Sequence, residues 1–190
     1  MNKPQTMAPT PQISDISFSH MGIFVRDVER MASFYSKVVG FTITDRGQMG
    51  AVYLVFLSRN PEEHHQLVLV SGRPEDQTYS VVNQISFKVK SLSMLRQVLA
   101  QALEDGGATD IQPATHGNAI SVYLRDPEGN RLEIYMDTPW YCEQPLRQPL
   151  NLNETDEAVM AQAEALARSR PKFQPRAQWV AGMKTLMGLS

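Results

Sequence analysis

The feature that most limits how this chain can fold is an internal repeat of element order. The run Ile16-Ser17-Phe18-Ser19-His20-Met21-Gly22-Ile23-Phe24-Val25 alternates well enough for a strand. Asp27 can cap a helix after it, with Glu29 in the first turn where the helix dipole favours an anion. Val28, Met31, Ala32, Tyr35, Val38 and Val39 form that helix's apolar stripe, and Gly40 ends it. Three β-rich runs follow, near 42–46, 51–57 and 66–70. The plan then starts again. A strand over 82–89 leads to a Ser91-capped helix carrying Leu92, Leu95, Val98, Leu99 and Ala102, and Gly106-Gly107 lies beyond its end. β-rich runs near 109–113, 120–124 and 131–136 complete the second copy. Aligning Met21–Val25 with Ile85–Val89 sets His20 over Gln84, 64 residues on. One such unit cannot cover its own sheet. The expected fold is therefore α+β: two βαβββ modules forming a curved mixed sheet with a central groove, followed by a helical tail.

The expected boundaries follow from this plan. Residues 1–15 are a polar, Pro-containing arm, without the apolar core of a signal peptide. Residues 16–137 hold the modules, 16–72 and 81–137, and 138–190 form a linker and tail. In the tail, Pro145 and Pro149 mark extended chain, and Asn153 or Thr155 can cap a helix through Ala167. A short amphipathic piece with Trp179, Val180, Met183, Leu186 and Met187 is expected to pack on a module or on a second subunit. A net charge of −2 gives no electrostatic footprint for nucleic acid, and no apolar run is long enough for a membrane helix. Cys142 is the one cysteine, so no internal disulfide can form, which fits a reducing cytoplasm.

The residues able to carry chemistry are few. His20, His64, His65 and His116 are the only histidines, all in or beside runs expected to be strands. Glu133 stands mid-strand between Leu132 and Ile134, where a carboxylate must be paired, hydrated or metal-bound. Each residue alone also fits a plainer role: Glu133 in a salt bridge, His20 in the core, His65 and His116 in surface loops, Tyr123 in sheet packing. Cys142 has no activating neighbours in sequence and is expected to be inert. Period-2 alternation predicts that His64 and His65 face opposite ways. Jointly, His20, Gln84 and Glu133 would offer N and O donors from inner strands of both halves, the type of set a divalent metal needs.

Four segments make the chain resemble the vicinal oxygen chelate superfamily, which includes glyoxalase I, fosfomycin- and bleomycin-resistance proteins and extradiol dioxygenases. They are Ser19-His20-Met21-Gly22-Ile23, Phe56-Leu57-Ser58 running on to His64-His65-Gln66-Leu67-Val68, His116-Gly117, and Tyr123-Leu124-Arg125-Asp126-Pro127-Glu128-Gly129-Asn130-Arg131-Leu132-Glu133. The resemblance extends from about Ile16 to Met136 and is strongest to extradiol dioxygenases of the catechol 2,3-dioxygenase type. It implies His20, Gln84 and Glu133 as metal ligands, His65 as acid–base residue, and His116 and Tyr123 as partners of the substrate oxygens. In that type the Gln84 position carries histidine. Glutamine is a harder, weaker donor, so Fe(II) is favoured by resemblance while Mn, Zn or Mg become possible.

The implied function is ring cleavage of a catechol-like small molecule with O2, by a metal-dependent cytoplasmic homodimer. Two other readings stay open. Gln84 favours glyoxalase-like isomerase or lyase chemistry, against which the run 66–70 holds no acidic residue. A non-catalytic, resistance-type binding protein is the other.

Overall fold

A computed structural model describes residues 16–189; the expected arm lies outside the described residues apart from this boundary. The first module is β1 (Met21–Val25), α1 (Val28–Phe34), β2 (Thr42–Met49), β3 (Val52–Ser58) and β4 (Leu67–Ser71). Its sheet has the order β1-β4-β3-β2, with β1 parallel to β4 and the other pairs antiparallel. The second module repeats it with β5 (Ile85–Lys88), α2 (Leu92–Asp105), β6 (Thr109–Thr115), β7 (Ala119–Arg125) and β8 (Arg131–Asp137). There β5 is parallel to β8, and the tail adds a short strand, β10 (Gln148–Pro149), beside β6. The registers match: Met21 pairs with Leu67 as Ile85 pairs with Leu132. His20 and Gln84 are thus equivalent in three dimensions, and Val68 holds the place of Glu133.

Local chemistry explains the helices. The Asp27 side chain accepts from the Arg30 N–H, and Ser91 does the same for Met94. After Phe34 the first helix widens into a π-turn over Tyr35–Val39, and Gly40 closes it at φ 77°. Both sheets pack one face on these helices. The shared core takes Val55, Leu57, Leu67 and Leu69 from one sheet, Ile120, Val122, Leu124, Leu132 and Ile134 from the other, and Leu150, Leu152 and Val159 from the tail.

Two expected strands start later than their sequence pattern. β1 begins at Met21 and not Ile16, and β5 at Ile85 and not Val82. Each pairs at its outer side with one strand, and β4 and β8 begin only at Leu67 and Arg131. A strand ends where its ladder partner does, so His20 and Gln84 sit just before their strands. The tail helix α3 (Asp156–Arg168) has Thr155 as its cap. A last helix, α4 (Arg176–Met187), buries no residue; it is held by Trp179 stacked on Tyr141, in the two-residue strand β9 (Trp140–Tyr141), and by Arg176 on Asp137. No helix among the described residues is long and apolar enough to cross a membrane.

The modules are joined through the turn at Asp126–Asn130. Glu128 Oε1 accepts from the backbone N–H groups of Arg26 and Asp27, at 2.6 and 2.9 Å. Its other oxygen lies 3.5 Å from Arg73 Nη1. Buried Tyr35 donates to Asp126 Oδ2 at 3.1 Å, and Arg30 pairs with Asp105 at 3.0 Å. Gly107 makes room for that pair, since a Cβ there would meet Arg30 Nη2 at 1.9 Å.

Glu128→Ala removes a nearly buried carboxylate and leaves two N–H groups and an arginine without it. It is expected to cost about 3–5 kcal/mol in urea unfolding, with Glu128→Gln losing clearly less. Hydrogen bonding to Arg30 holds the Asp105 carboxyl below the usual carboxylate range. A depressed folded pKa stabilises above the unfolded value of about 4 and loses that contribution as pH falls through the folded one. Arg30→Met should therefore flatten the acid limb of the stability–pH curve; an unchanged limb would show that the pair contributes nothing.

Candidate metal and substrate site

The site is built around Glu133. It lies on β8 with Ser86 of β5 and Tyr123 of β7 as its cross-strand neighbours. Register thus puts all three side chains on the sheet face away from the helices. Ser121, two residues before Tyr123, shares that face. Glu133 Oε1 accepts from Ser121 Oγ at 2.8 Å and from the Tyr123 hydroxyl at 2.7 Å. Oε2 accepts from Ser86 Oγ at 2.7 Å and from Gln84 Nε2 at 2.9 Å. Burial opposes the charge, but the bonds from Tyr123, Ser86 and Ser121, with the His116 ring nearby, outweigh it and hold the carboxyl below its ordinary range. Burial pushes the Tyr123 phenol well up, reinforced by its bond to Glu133.

His116 extends the chain of bonds. Its Nε2 lies 2.9 Å from the Tyr123 hydroxyl and 3.7 Å from Glu133 Oε1. Its Nδ1 meets the Leu146 carbonyl, so the ring is fixed at both nitrogens. The His116 carbonyl accepts from Gln144 Nε2 at 2.9 Å and lies 3.5 Å from Cys142 Sγ. Gly117 follows at φ +73°, and a Cβ on it would meet Cys142 Sγ at 2.9 Å and Ala167 Cα at 3.0 Å. The turn bearing His116 is therefore clamped by the tail.

A second cluster lies on the first module. The His20 and His65 rings meet edge to face with centroids 4.3 Å apart, and His65 and His64 both pack on Phe56. The expectation that His64 and His65 diverge is corrected. Both lie in the turn between β3 and β4, not on a strand, and their Nδ1 atoms approach to 2.9 Å. Burial, and then the neighbouring rings of His20 and His64, lower the pKa of His65. Beside this cluster the open sheet face is apolar. Gly22 and Phe24 pair with Val68 and Val70, which pair with Phe56 and Leu54.

The structure therefore brings Gln84, Glu133, Tyr123 and His116 into one bonded group and His20 and His65 into another. No hydrogen bond or ion pair joins His20 to Gln84 or Glu133. Ser19, next to His20, and Ser86, bonded to Gln84 and Glu133, both line a cavity of about 610 Å³ at the seam between β1 and β5. A second cavity of about 390 Å³ on the same seam takes Gly22, Phe24 and Arg131. Sequence reasoning missed Ser86 and Ser121, although each stands two residues from a named site residue on the same face. It also missed Arg131, Gln144, Leu146 and Arg147, and for the last three no periodic signal exists.

Residues 17–134 match the model of the Glyoxalase/Bleomycin resistance protein/Dioxygenase superfamily. The chain belongs to this superfamily. Among its relatives is the catechol-2,3-dioxygenase of Bacillus subtilis (strain 168), 29% identical over 132 residues covering 66% of this chain and 43% of the relative. Biphenyl-2,3-diol 1,2-dioxygenase 3 of Rhodococcus globerulus is 28% identical over 136 residues, 69% of this chain and 66% of the relative. The matched part thus spans about half to two thirds of these relatives' lengths. Similar solved structures include a glyoxylase/bleomycin resistance protein/dioxygenase domain from Frankia sp. EAN1pec, with a TM-score of 0.55 at 20% identity over 65% of this chain and 98% of that one. A fosfomycin resistance protein from Mesorhizobium loti gives 0.51 at 22% identity, over 67% and 94%. These agree on the fold.

Members of the superfamily bind divalent metals, and the donor set here suits one. Adjacent oxygen ligands of an octahedral ion with bonds of ~2.1 Å lie about 3.0 Å apart. Gln84 Nε2 and Glu133 Oε2 are 2.9 Å apart, and half a turn of the carboxamide exchanges its nitrogen for its oxygen. Gln84 as it stands serves Glu133 as a donor. Among the described residues no three His, Cys, Asp or Glu side chains cluster as a metal site, and the Gln84 carboxamide is the further donor that lies against Glu133.

Gly117→Ala is expected to lower stability by about 1–3 kcal/mol in thermal melts, because both its backbone angle and its neighbours exclude a Cβ. Loosening the turn should also speed reaction of buried Cys142 with a thiol reagent; an unchanged rate would show that the tail does not clamp the turn.

Proposed function

We propose that the chain is a divalent-metal-dependent oxygenase of the extradiol ring-cleaving type, acting on a catechol-like small molecule with O2. The observation that carries this is the bonded series Gln84, Glu133, Tyr123 and His116, together with the His20–His65 pair across the seam. The curated dioxygenase relatives and the apolar wall of Leu54, Phe56, Val68 and Val70 support it. Glu133, Gln84 and His20 would hold the metal, with Fe(II) favoured by those relatives and Mn, Zn or Mg compatible with the carboxamide. Such an ion would supply Lewis-acid polarisation of the substrate's oxygens.

The remaining work falls to protein groups. His65, whose pKa burial and the neighbouring rings lower and whose Nδ1 meets Nδ1 of His64, is the residue whose Nε2 would accept the substrate's hydroxyl proton. The Tyr123 hydroxyl gives up its bond to Glu133 and donates to a substrate oxygen. His116, held at Nδ1 by Leu146, presents Nε2 beside it. The apolar wall receives the ring and excludes water. Leu186, Met187 and Leu189, which are left exposed at α4, support a homodimer.

Protein loaded anaerobically with Fe(II) should hold about one ion per chain and consume O2 with a panel of catechols. Glu133→Ala should lose the metal. His65→Phe should keep it and lose about 10²–10⁴-fold in turnover. Absence of both bound metal and oxygen uptake in the wild type would sink the proposal. One observation favours a second reading, binding without catalysis: four neutral donors already satisfy Glu133. Gln84→His separates the two, because metal binding that appears only in that variant supports the binding protein.

A further inference from the structure

Two guanidinium groups converge on Tyr123. The Cζ of Arg147 lies 4.4 Å from the ring centroid and that of Arg131 lies 4.9 Å away. Neither has a carboxylate partner among the described residues: Arg147 donates only to Gln112 Oε1, at 2.7 Å, and Arg131 forms no ion pair. Among the described arginines Arg59 and Arg170 share this lack of an acidic partner, but neither lies over an aromatic ring as these two do. Arg26, Arg30, Arg46, Arg73, Arg96, Arg125, Arg168 and Arg176 all approach acidic side chains.

Arg147 is also held in place. On one side Leu146 accepts from His116, and on the other Gln148 and Pro149 pair with Thr115 and Ala114 of β6. Gln112, which receives the guanidinium, is the cross-strand neighbour of Tyr123. Arg131 comes from β8, two residues before Glu133 on the same face, and lines the seam cavity of about 390 Å³. Stacking on an aromatic face satisfies a guanidinium in part but leaves its in-plane N–H donors available.

We infer that Arg147 and Arg131 form an anion subsite beside Tyr123, so that the molecule bound at the site carries a carboxylate or comparable anionic substituent. The inference rests on the reading of Tyr123 as a partner of a catechol-like ligand. The hydroxyl that would meet a ligand oxygen belongs to the ring both guanidiniums cover, at 4.4 and 4.9 Å from its centroid. The planar five-donor fork suits a carboxylate held bidentately. Arg147 lies beyond residues 17–134, the part shared with the superfamily. The subsite thus combines Arg131 from within the matched part with Arg147 from the segment that follows it.

The test is direct binding, not turnover. The full chain, with and without Mn(II), is titrated calorimetrically with 2,3- and 3,4-dihydroxybenzoate and with the matching dihydroxybenzamides. For at least one ring position the wild type should bind the carboxylate roughly tenfold or more tightly than its amide. That ratio should fall towards one in Arg147→Gln and in Arg131→Gln, be partly kept in Arg147→Lys, and shrink with added salt. Circular dichroism confirms that each variant is folded. Equal affinity of wild type for carboxylate and amide, or a ratio untouched by both Gln substitutions, overturns the inference. Failure of the oxygenase reading looks different: the ratio and its arginine dependence persist while no catechol supports oxygen uptake.

Discussion

The joint that holds the two halves of the candidate site together is built on the carboxylate of Glu128. It reaches out of the tight turn before β8 and takes two backbone N–H groups at the start of the first module's helix, with Arg73 on its other oxygen. Those N–H groups belong to Arg26 and Asp27, the residues that follow β1. A single side chain therefore ties the end of one inner strand to the turn that launches the strand of Glu133. Charge-assisted bonds to backbone donors have little freedom, and burial removes water as a competitor. Tyr35 on Asp126 and Arg30 on Asp105 strengthen the same joint, and Arg73 adds a bond to the Glu128 carbonyl.

The same turn decides the state of Glu133. Asp126 Oδ1 accepts from the N–H groups of Glu128 and Asn130, and Gly129 adopts φ 84°, so the chain reverses in a few residues and β8 starts in one register. A shift of one residue would turn Glu133 into the apolar core and Leu132 out. In the observed register four donors surround the carboxylate. Each is neutral, and together they overcome desolvation. On the proposed metal reading this arrangement suits the site with and without a cation, since hydroxyls and a carboxamide rearrange by rotation alone.

Much of this was legible in the sequence. The duplicated order of elements, the caps at Asp27, Ser91 and Thr155, and the turn at Asp126–Asn130 all follow from local rules, and His20 matched Gln84 from alignment alone. Strand starts were less legible, because where β1 and β5 begin depends on the partner strand and not on their own alternation. His64 and His65 were misjudged for a related reason. Period 2 holds only within a ladder, and Gln66 N–H already turns back to the Leu57 carbonyl just after them. The contacts of the tail were not legible at all. Leu146 lies 30 residues from His116 in sequence, and no periodicity links a loop carbonyl to a ring nitrogen.

That last contact bears on how function is distributed along the chain. The paired modules, which lie in the matched region, supply the carboxylate, the tyrosine and the histidines. Yet His116 is oriented from outside the matched region, by Leu146, and its turn is closed by Thr138, Cys142 and Gln144. A ring with one nitrogen bound to a carbonyl has its tautomer chosen for it, so the other nitrogen is set to face Tyr123. The segment that makes this choice also carries Arg147. If Arg147 forms the proposed anion subsite, changes in the tail alter which ligand is accepted, and how His116 meets it, without a change in the modules.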